Sequence, residues 1–153
     1  MNEDLAGRAR TNLEPFENVS VMHVDATTSP IPAADLIYVN AGVVAPSATW
    51  PKALKPGGQM IFPWQPAGGI GLTMLVTRTS RAFTVRPLMP VRFIPCIEAS
   101  DSGQCARAPN ILEAHAIRSV RLTADQEADE SAVAIFPDIW FSTTDPSHHS
   151  PVL

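Results

Sequence analysis

Cysteine is scarce. Cys96 and Cys105 are the only two in 153 residues, too few to staple a small scaffold and at no zinc-motif spacing. Both read as buried or half-buried thiols. Basic blocks are missing as well: eleven Lys and Arg stand against fifteen Asp and Glu, for a net charge of −4. That excludes the concentrated positive surface on which nucleic-acid and anionic-membrane binding rest. No apolar run approaches the roughly 20 residues that span a bilayer. The N-terminus is acidic and polar, unlike a secretory leader. The expectation is a cytoplasmic protein with neither nucleic-acid nor membrane partners.

Familiar catalytic patterns are also lacking. No Gly-x-Ser-x-Gly elbow frames a nucleophile among the serines of the final third, and Asp145 with His148 and His149 makes no credible hydrolase triad. The two adjacent histidines would point to opposite faces of a strand and have no partner cluster nearby, so no metal site is expected. Gly68-Gly69-Ile70-Gly71 is followed by Leu72-Thr73-Met74-Leu75-Val76, which reads as strand. A phosphate-binding loop needs a helix there, so the run reads as a flexible turn. His23 and His115 read as structural, and the acidic stretch 125–130 as a solvated turn.

What is present suits a folded domain. Hydrophobic residues make up 45% and charged residues 17%, and the length fits one compact unit with a real core. Fifteen prolines are about twice the usual share of roughly 5% and argue against long uninterrupted helices. Leu5, Ala9 and Leu13 form a stripe that predicts a helix over 4–13, stopped near Pro15. Residues 19–24 are β-branched and apolar and predict a strand ending at Asp25. The continuous apolar run 36–40 predicts a strand buried on both faces of a parallel sheet.

A short helix over 47–54, a turn at Pro56-Gly57-Gly58 and a strand over 59–64 follow. Strands over 73–78 and 82–95 turn near Ser80-Arg81. A helix from Asn110 and late strands over 119–122 and 132–141 complete the pattern, with a loose end over 143–153. Helix, strand, strand, helix, strand and hairpin in that order indicate an α/β fold.

The most specific local pattern is Leu54-Lys55-Pro56-Gly57-Gly58-Gln59-Met60-Ile61, a reversal that needs a glycine at positive φ. With Tyr38-Val39-Asn40-Ala41-Gly42, Trp50 and Phe93-Ile94-Pro95-Cys96, it makes residues 3–97 resemble the later part of a class I S-adenosylmethionine-dependent methyltransferase. The nearest group is the protein-L-isoaspartate O-methyltransferases. The resemblance implies a partial Rossmann-like methyltransferase sheet, its first two strands missing, with a C-terminal β-hairpin and extension. It divides the chain into a methyltransferase-like domain over 1–97, an extension over 98–142 and a tail over 143–153.

In the family's strand order, 3-2-1-4-5-7-6, residues 19–24 and 36–40 would flank a gap of about 10–15 Å at roughly 4.8 Å per strand. Two unpaired edges would result. Either those strands pair directly, or another chain completes the sheet, or the product is poorly stable.

Ligands of open α/β sheets sit beyond the carboxyl ends of the strands, where Asp25 and Asn40-Ala41-Gly42 fall. The resemblance implies that Asp25 accepts from the exocyclic amine of adenine with Ala26 beside it, and that Asn40, Ala41 and Gly42 line the cofactor and substrate mouth. Read without the family, Asp25 caps a loop and Gly42 makes a turn. No catalytic residue is assigned, and Lys55 is architectural. The family's glycine-rich cofactor turn is absent, and its ribose-binding acid would fall at or before Met1.

The implied activity is methyl transfer from S-adenosylmethionine to a protein or peptide carboxylate by alignment of the reactants, impaired or lost in this chain alone. The alternative is a noncatalytic remnant that acts as a protein-interaction module, its sheet completed by a partner chain.

Overall fold

A computed structural model describes residues 2–66, 71–80, 82–96, 99, 101, 103 and 105–146. The elements run α1 (Glu3–Leu13), β1 (Ala34–Tyr38), α2 (Thr49–Ala53), β2 (Leu54–Trp64), β3 (Gly71–Arg78), β4 (Phe83–Val91), α3 (Ile111–Ala116), β5 (Ser119–Leu122), β6 (Ala132–Ile135) and β7 (Ile139–Ser142). The seven strands form one sheet in the order β1-β2-β3-β4-β5-β7-β6. β1 runs parallel to β2; the remaining pairs are antiparallel. Because β5 pairs with β4, the sheet runs on from the 1–97 segment into residues beyond it.

Alternation builds the meander β2-β3-β4. Met60 and Phe62 of β2, Met74 and Val76 of β3, and Val85 of β4 are buried, as period-two patterning of a half-covered sheet requires. At the far end Trp64, Phe136 and Phe141 pack together, with the Trp64 and Phe141 ring centres 4.9 Å apart. The Trp64 indole N–H finds a buried acceptor in the Val44 carbonyl at 2.9 Å.

Each helix has local causes. Asn2 caps α1 by accepting from the Leu5 amide at 3.1 Å, and Glu3 and Asp4 suit its N-terminal dipole. Its apolar stripe is uncovered, since no α1 residue is buried. α2 places Pro51 in its first turn, where a missing amide costs little. The Arg78 guanidinium of β3 donates to the carbonyls of Lys52 and Leu54 at the end of that helix. α3 begins with a reciprocal cap between Asn110 and Glu113. No helix among the described residues is long and apolar enough to cross a membrane.

The structure corrects several expectations. Residues 19–24 do not form a strand; they are irregular, and Val19, Met22 and Val24 remain exposed. A strand exists through ladder bonds to a neighbour, and β-branched composition supplies none by itself. Of the run 36–40, residues 36–38 belong to β1, which begins earlier at Ala34 and lies at the sheet edge, not buried on both faces, with Leu36 60% and Tyr38 63% exposed. Residues 132–141 are two strands. They turn at Pro137-Asp138, closed by the Phe136 amide donating to the Ile139 carbonyl at 2.9 Å.

Gly57 has the expected positive φ, +79°, but the turn expected at Pro56-Gly57-Gly58 lies inside β2 (Leu54–Trp64), where pairing with β1 shifts register between Ala34↔Leu54 and Leu36↔Gln59.

Candidate functional site

The first candidate group is a loop that follows the irregular segment 19–24. Asp25 Oδ1 accepts from the Thr27 amide at 2.9 Å and from the Thr27 hydroxyl at 2.7 Å, while Oδ2 accepts from the Thr28 hydroxyl at 2.7 Å. The Asp25 carbonyl accepts from the Ser29 amide at 2.8 Å. These bonds favour the ionised form. The Thr28 hydroxyl, then the Thr27 amide and hydroxyl, hold the carboxyl below its ordinary value. A carboxylate offers about four acceptor positions; among the described residues, donors fill three of them. Asp25 therefore caps its loop, with one acceptor position left unfilled by these donors.

Two side chains from the next helical segment hold this loop. The Trp50 indole N–H donates to the Ala26 carbonyl at 2.7 Å, and the Ser47 hydroxyl donates to the Thr27 carbonyl at 2.6 Å. Ser47 also accepts from the Thr49 amide at 3.2 Å. Beside them lies a cavity of about 170 Å³ bordered by Thr27, Thr28, Ser47, Ala99, Phe136 and Asp138.

The second group lies beyond the carboxyl end of β1. Asn40 is exposed, Ala41 half-buried and Gly42 buried. The chain here threads between β2 and the segment after β4. Gly42 donates to the Ile94 carbonyl at 2.9 Å and accepts from the Cys96 amide at 2.8 Å, and Val43 donates to the Pro63 carbonyl at 2.9 Å. A Cβ at Gly42 would lie 2.6 Å from Gln65 Oε1, and that oxygen accepts from the Phe93 amide at 2.7 Å. The protein's own amide side chain thus occupies the narrow approach at Gly42. Among the described residues, no hydrogen bond joins the Asp25 loop to the Gly42 segment.

Cys96 and Cys105 are half-buried and form no disulfide. Burial raises the Cys105 pKa, and its thiol donates to the Arg107 carbonyl at 2.8 Å. His115 is exposed, and His23 has a buried Nε2 with no hydrogen-bond partner. His148-His149 and Gly68-Gly69-Ile70 lie outside the described residues. Among those described, no group of His, Cys, Asp and Glu is placed to hold a metal.

The acidic stretch 125–130 is exposed apart from half-buried Gln126, as a solvated turn requires, and two of its residues also meet Arg121. Arg121 donates to Gln126 Oε1 at 2.9 Å, lies 3.8 Å from Asp129 and stands 5.0 Å over the Trp140 ring. A guanidinium that is largely covered needs such partners.

Ser47, Gln65 and the two threonines escape a reading of motifs. Only the threonines leave a local signal, since Asp followed by a hydroxyl residue two positions on is a turn signature.

The fold is that of an α/β methyltransferase. A solved structure described as protein-L-isoaspartate O-methyltransferase matches with a TM-score of 0.60 at 17% identity, covering 95% of this chain and 55% of that one. A second, a Plasmodium falciparum protein-L-isoaspartate O-methyltransferase in complex with S-adenosyl-L-homocysteine, matches with a TM-score of 0.52 at 14% identity over 61% and 48%. The model of the Protein-L-isoaspartate(D-aspartate) O-methyltransferase family matches residues 2–101, and the chain belongs to that family.

It is 33% identical over 99 residues to the protein-L-isoaspartate O-methyltransferase of Ignicoccus hospitalis, covering 62% of this chain and 47% of the relative. The enzyme of that name from Bradyrhizobium sp. strain ORS 278 is 37% identical over 97 residues, with 61% and 45% covered. The chain thus spans about half the length of the curated relatives it matches.

Proposed function

We propose that this chain carries part of an S-adenosylmethionine-dependent methyltransferase site that acts on a carboxylate of a protein or peptide, as the names of its relatives suggest. The observation that carries the reading is the spare acceptor on Asp25, held in a loop that already satisfies the rest of the carboxylate. Such a group takes a donor, as the exocyclic amine of adenine is, and repels a phosphate or a second carboxylate. When bound, the cofactor supplies a sulfonium methyl group to a carboxylate oxygen. Asp25 and Ala26 would hold its adenine, and Asn40, Ala41 and Gly42 would border the reacting end.

Activity of this chain alone is proposed to be impaired, because none of its residues is assigned to grip the ribose. The division into a 1–97 methyltransferase-like part, a 98–142 extension and a 143–153 tail belongs to the same proposal. So does a cytoplasmic site of action, which suits two cysteines that form no disulfide.

The test is a thermal melt of the whole chain with S-adenosylhomocysteine raised into the millimolar range. A ligand that binds only the folded state at its dissociation constant adds about 0.4 kcal/mol, so a concentration-dependent rise in Tm is expected. A cooperative melt that no concentration moves would leave the second reading, a noncatalytic interaction module. The free edge of β1, with Leu36 and Tyr38 exposed, and the uncovered Leu5, Leu13 and Phe16 favour that reading. An unpaired edge is a template for another strand.

A further inference from the structure

We propose that Trp50 and Ser47 are positioning residues for Asp25: together they hold the 25–28 loop by its two successive carbonyls and so aim the open acceptor of its carboxylate. This rests on the reading of Asp25 as the adenine acid.

Among the described residues, no strand ladder sets the place of this loop. The segment before it is irregular and partly exposed, with no ladder bonds. The Asp25 carboxylate is bonded to Thr27 and Thr28, which fixes it relative to its own loop and not relative to the sheet. The link to the sheet comes from the carbonyls of Ala26 and Thr27, bound by the Trp50 indole at 2.7 Å and the Ser47 hydroxyl at 2.6 Å.

Both donors are themselves anchored. Trp50 is 4% exposed, and an indole N–H, a donor only, has its single bond in Ala26. Ser47 is tied to Thr49 at the start of α2. Arg78 of β3 holds the other end of that helix through the Lys52 and Leu54 carbonyls. A continuous set of bonds thus runs from β3 through α2 to the loop that bears Asp25. A buried tryptophan needs some acceptor for its N–H; here it uses the carbonyl directly after the acid.

The test follows the Asp25 carboxylate by carbon-13 NMR titration in the full chain, comparing wild type with Trp50→Phe, which keeps a ring and loses the donor, and with Ser47→Ala. The Trp64 and Trp140 indole signals report whether each variant keeps its core. With those signals kept, the Asp25 titration is expected to stay as in wild type, since Thr28 and Thr27 set it, while the affinity for S-adenosylhomocysteine is expected to fall several-fold in both variants and Ser47→Thr, which keeps the hydroxyl, to restore it. An affinity for S-adenosylhomocysteine unmoved in both, where the wild type prefers it over the inosine counterpart, overturns the positioning role. If Trp50→Phe does not fold, the Ser47 pair decides alone.

A second measurement separates this from the parent reading. Wild type is expected to bind S-adenosylhomocysteine at least several-fold more tightly than its inosine counterpart, which lacks the exocyclic amine, and Trp50→Phe to lose most of that preference. Equal affinity of the wild type for both ligands would refute the adenine reading.

Discussion

Gly42 and Gln65 compete for one volume: a Cβ on Gly42 would stand 2.6 Å from Gln65 Oε1 and 2.9 Å from its Cδ. That oxygen is already committed to the Phe93 amide, so it cannot swing away without leaving a donor unpaired. The smallness of residue 42 thus serves the joint between β2 and the segment after β4. Gly42→Ala is expected to cost about 1–3 kcal/mol from overpacking. Gln65→Ala should also destabilise, and the double variant should fall short of the sum by at least about 0.5 kcal/mol, as residues in contact do. Urea unfolding of the three variants checks this; strict additivity would show that the two side chains do not meet.

The Asp25 loop sets a pH dependence with a definite sign. Its carboxyl is held below the ordinary 3.8 by Thr28 and Thr27, so its contribution is present in full above that value and is lost as pH falls through the lowered native value. Asp25→Asn removes the ionised acceptor. The variant should melt below wild type near neutral pH, and the gap should close as pH falls below 3.8 and through the lowered native value. A gap that stays constant across the acid limb would mean that the carboxylate bonds contribute nothing.

Arg121 offers a test of shape against charge. Its side chain is 12% exposed, donates to Gln126, Thr144 and Ser119 and covers the Trp140 ring. Lysine keeps the charge but not the planar fork. Arg121→Lys is therefore expected to lose about 1–3 kcal/mol, the cost of leaving partly buried acceptors unpaired, read as a lower Tm. A variant as stable as wild type would assign the site to charge alone.

Two glycines should respond to alanine in opposite directions. Gly57 has φ +79°, a region that costs an L side chain roughly 1–2 kcal/mol, so Gly57→Ala should destabilise. Gly7 lies within α1, where no residue is buried, and an alanine methyl there would meet no atom within 4 Å. Gly7→Ala should raise helix stability by about 0.8–1.0 kcal/mol. Denaturant midpoints of the two variants decide.

The meander β2-β3-β4 is legible in the sequence because its apolar residues alternate, and α3 because Asn110 and Glu113 carry a cap in adjacent sequence. The positive φ of Gly57 is legible for the same local reason. Asp25 stands out as a candidate, but its three donors from Thr27 and Thr28 do not. Gly42 reads as a turn or a ligand approach, whereas its small size answers to Gln65, which comes from 23 positions later in the chain.

The sequence by itself determined the family, the α/β pattern and the positions of reversals and caps, because each depends on neighbours a few residues apart. Tertiary structure decided what needs distant partners. Residues 19–24 lack a ladder and stay irregular. β1 becomes an edge because its only strand neighbour in this sheet is β2. The 25–28 loop acquires its place from Trp50 and Ser47. Strand pairing and buried polar contacts are long-range bonds, and no local pattern states which distant group will supply them.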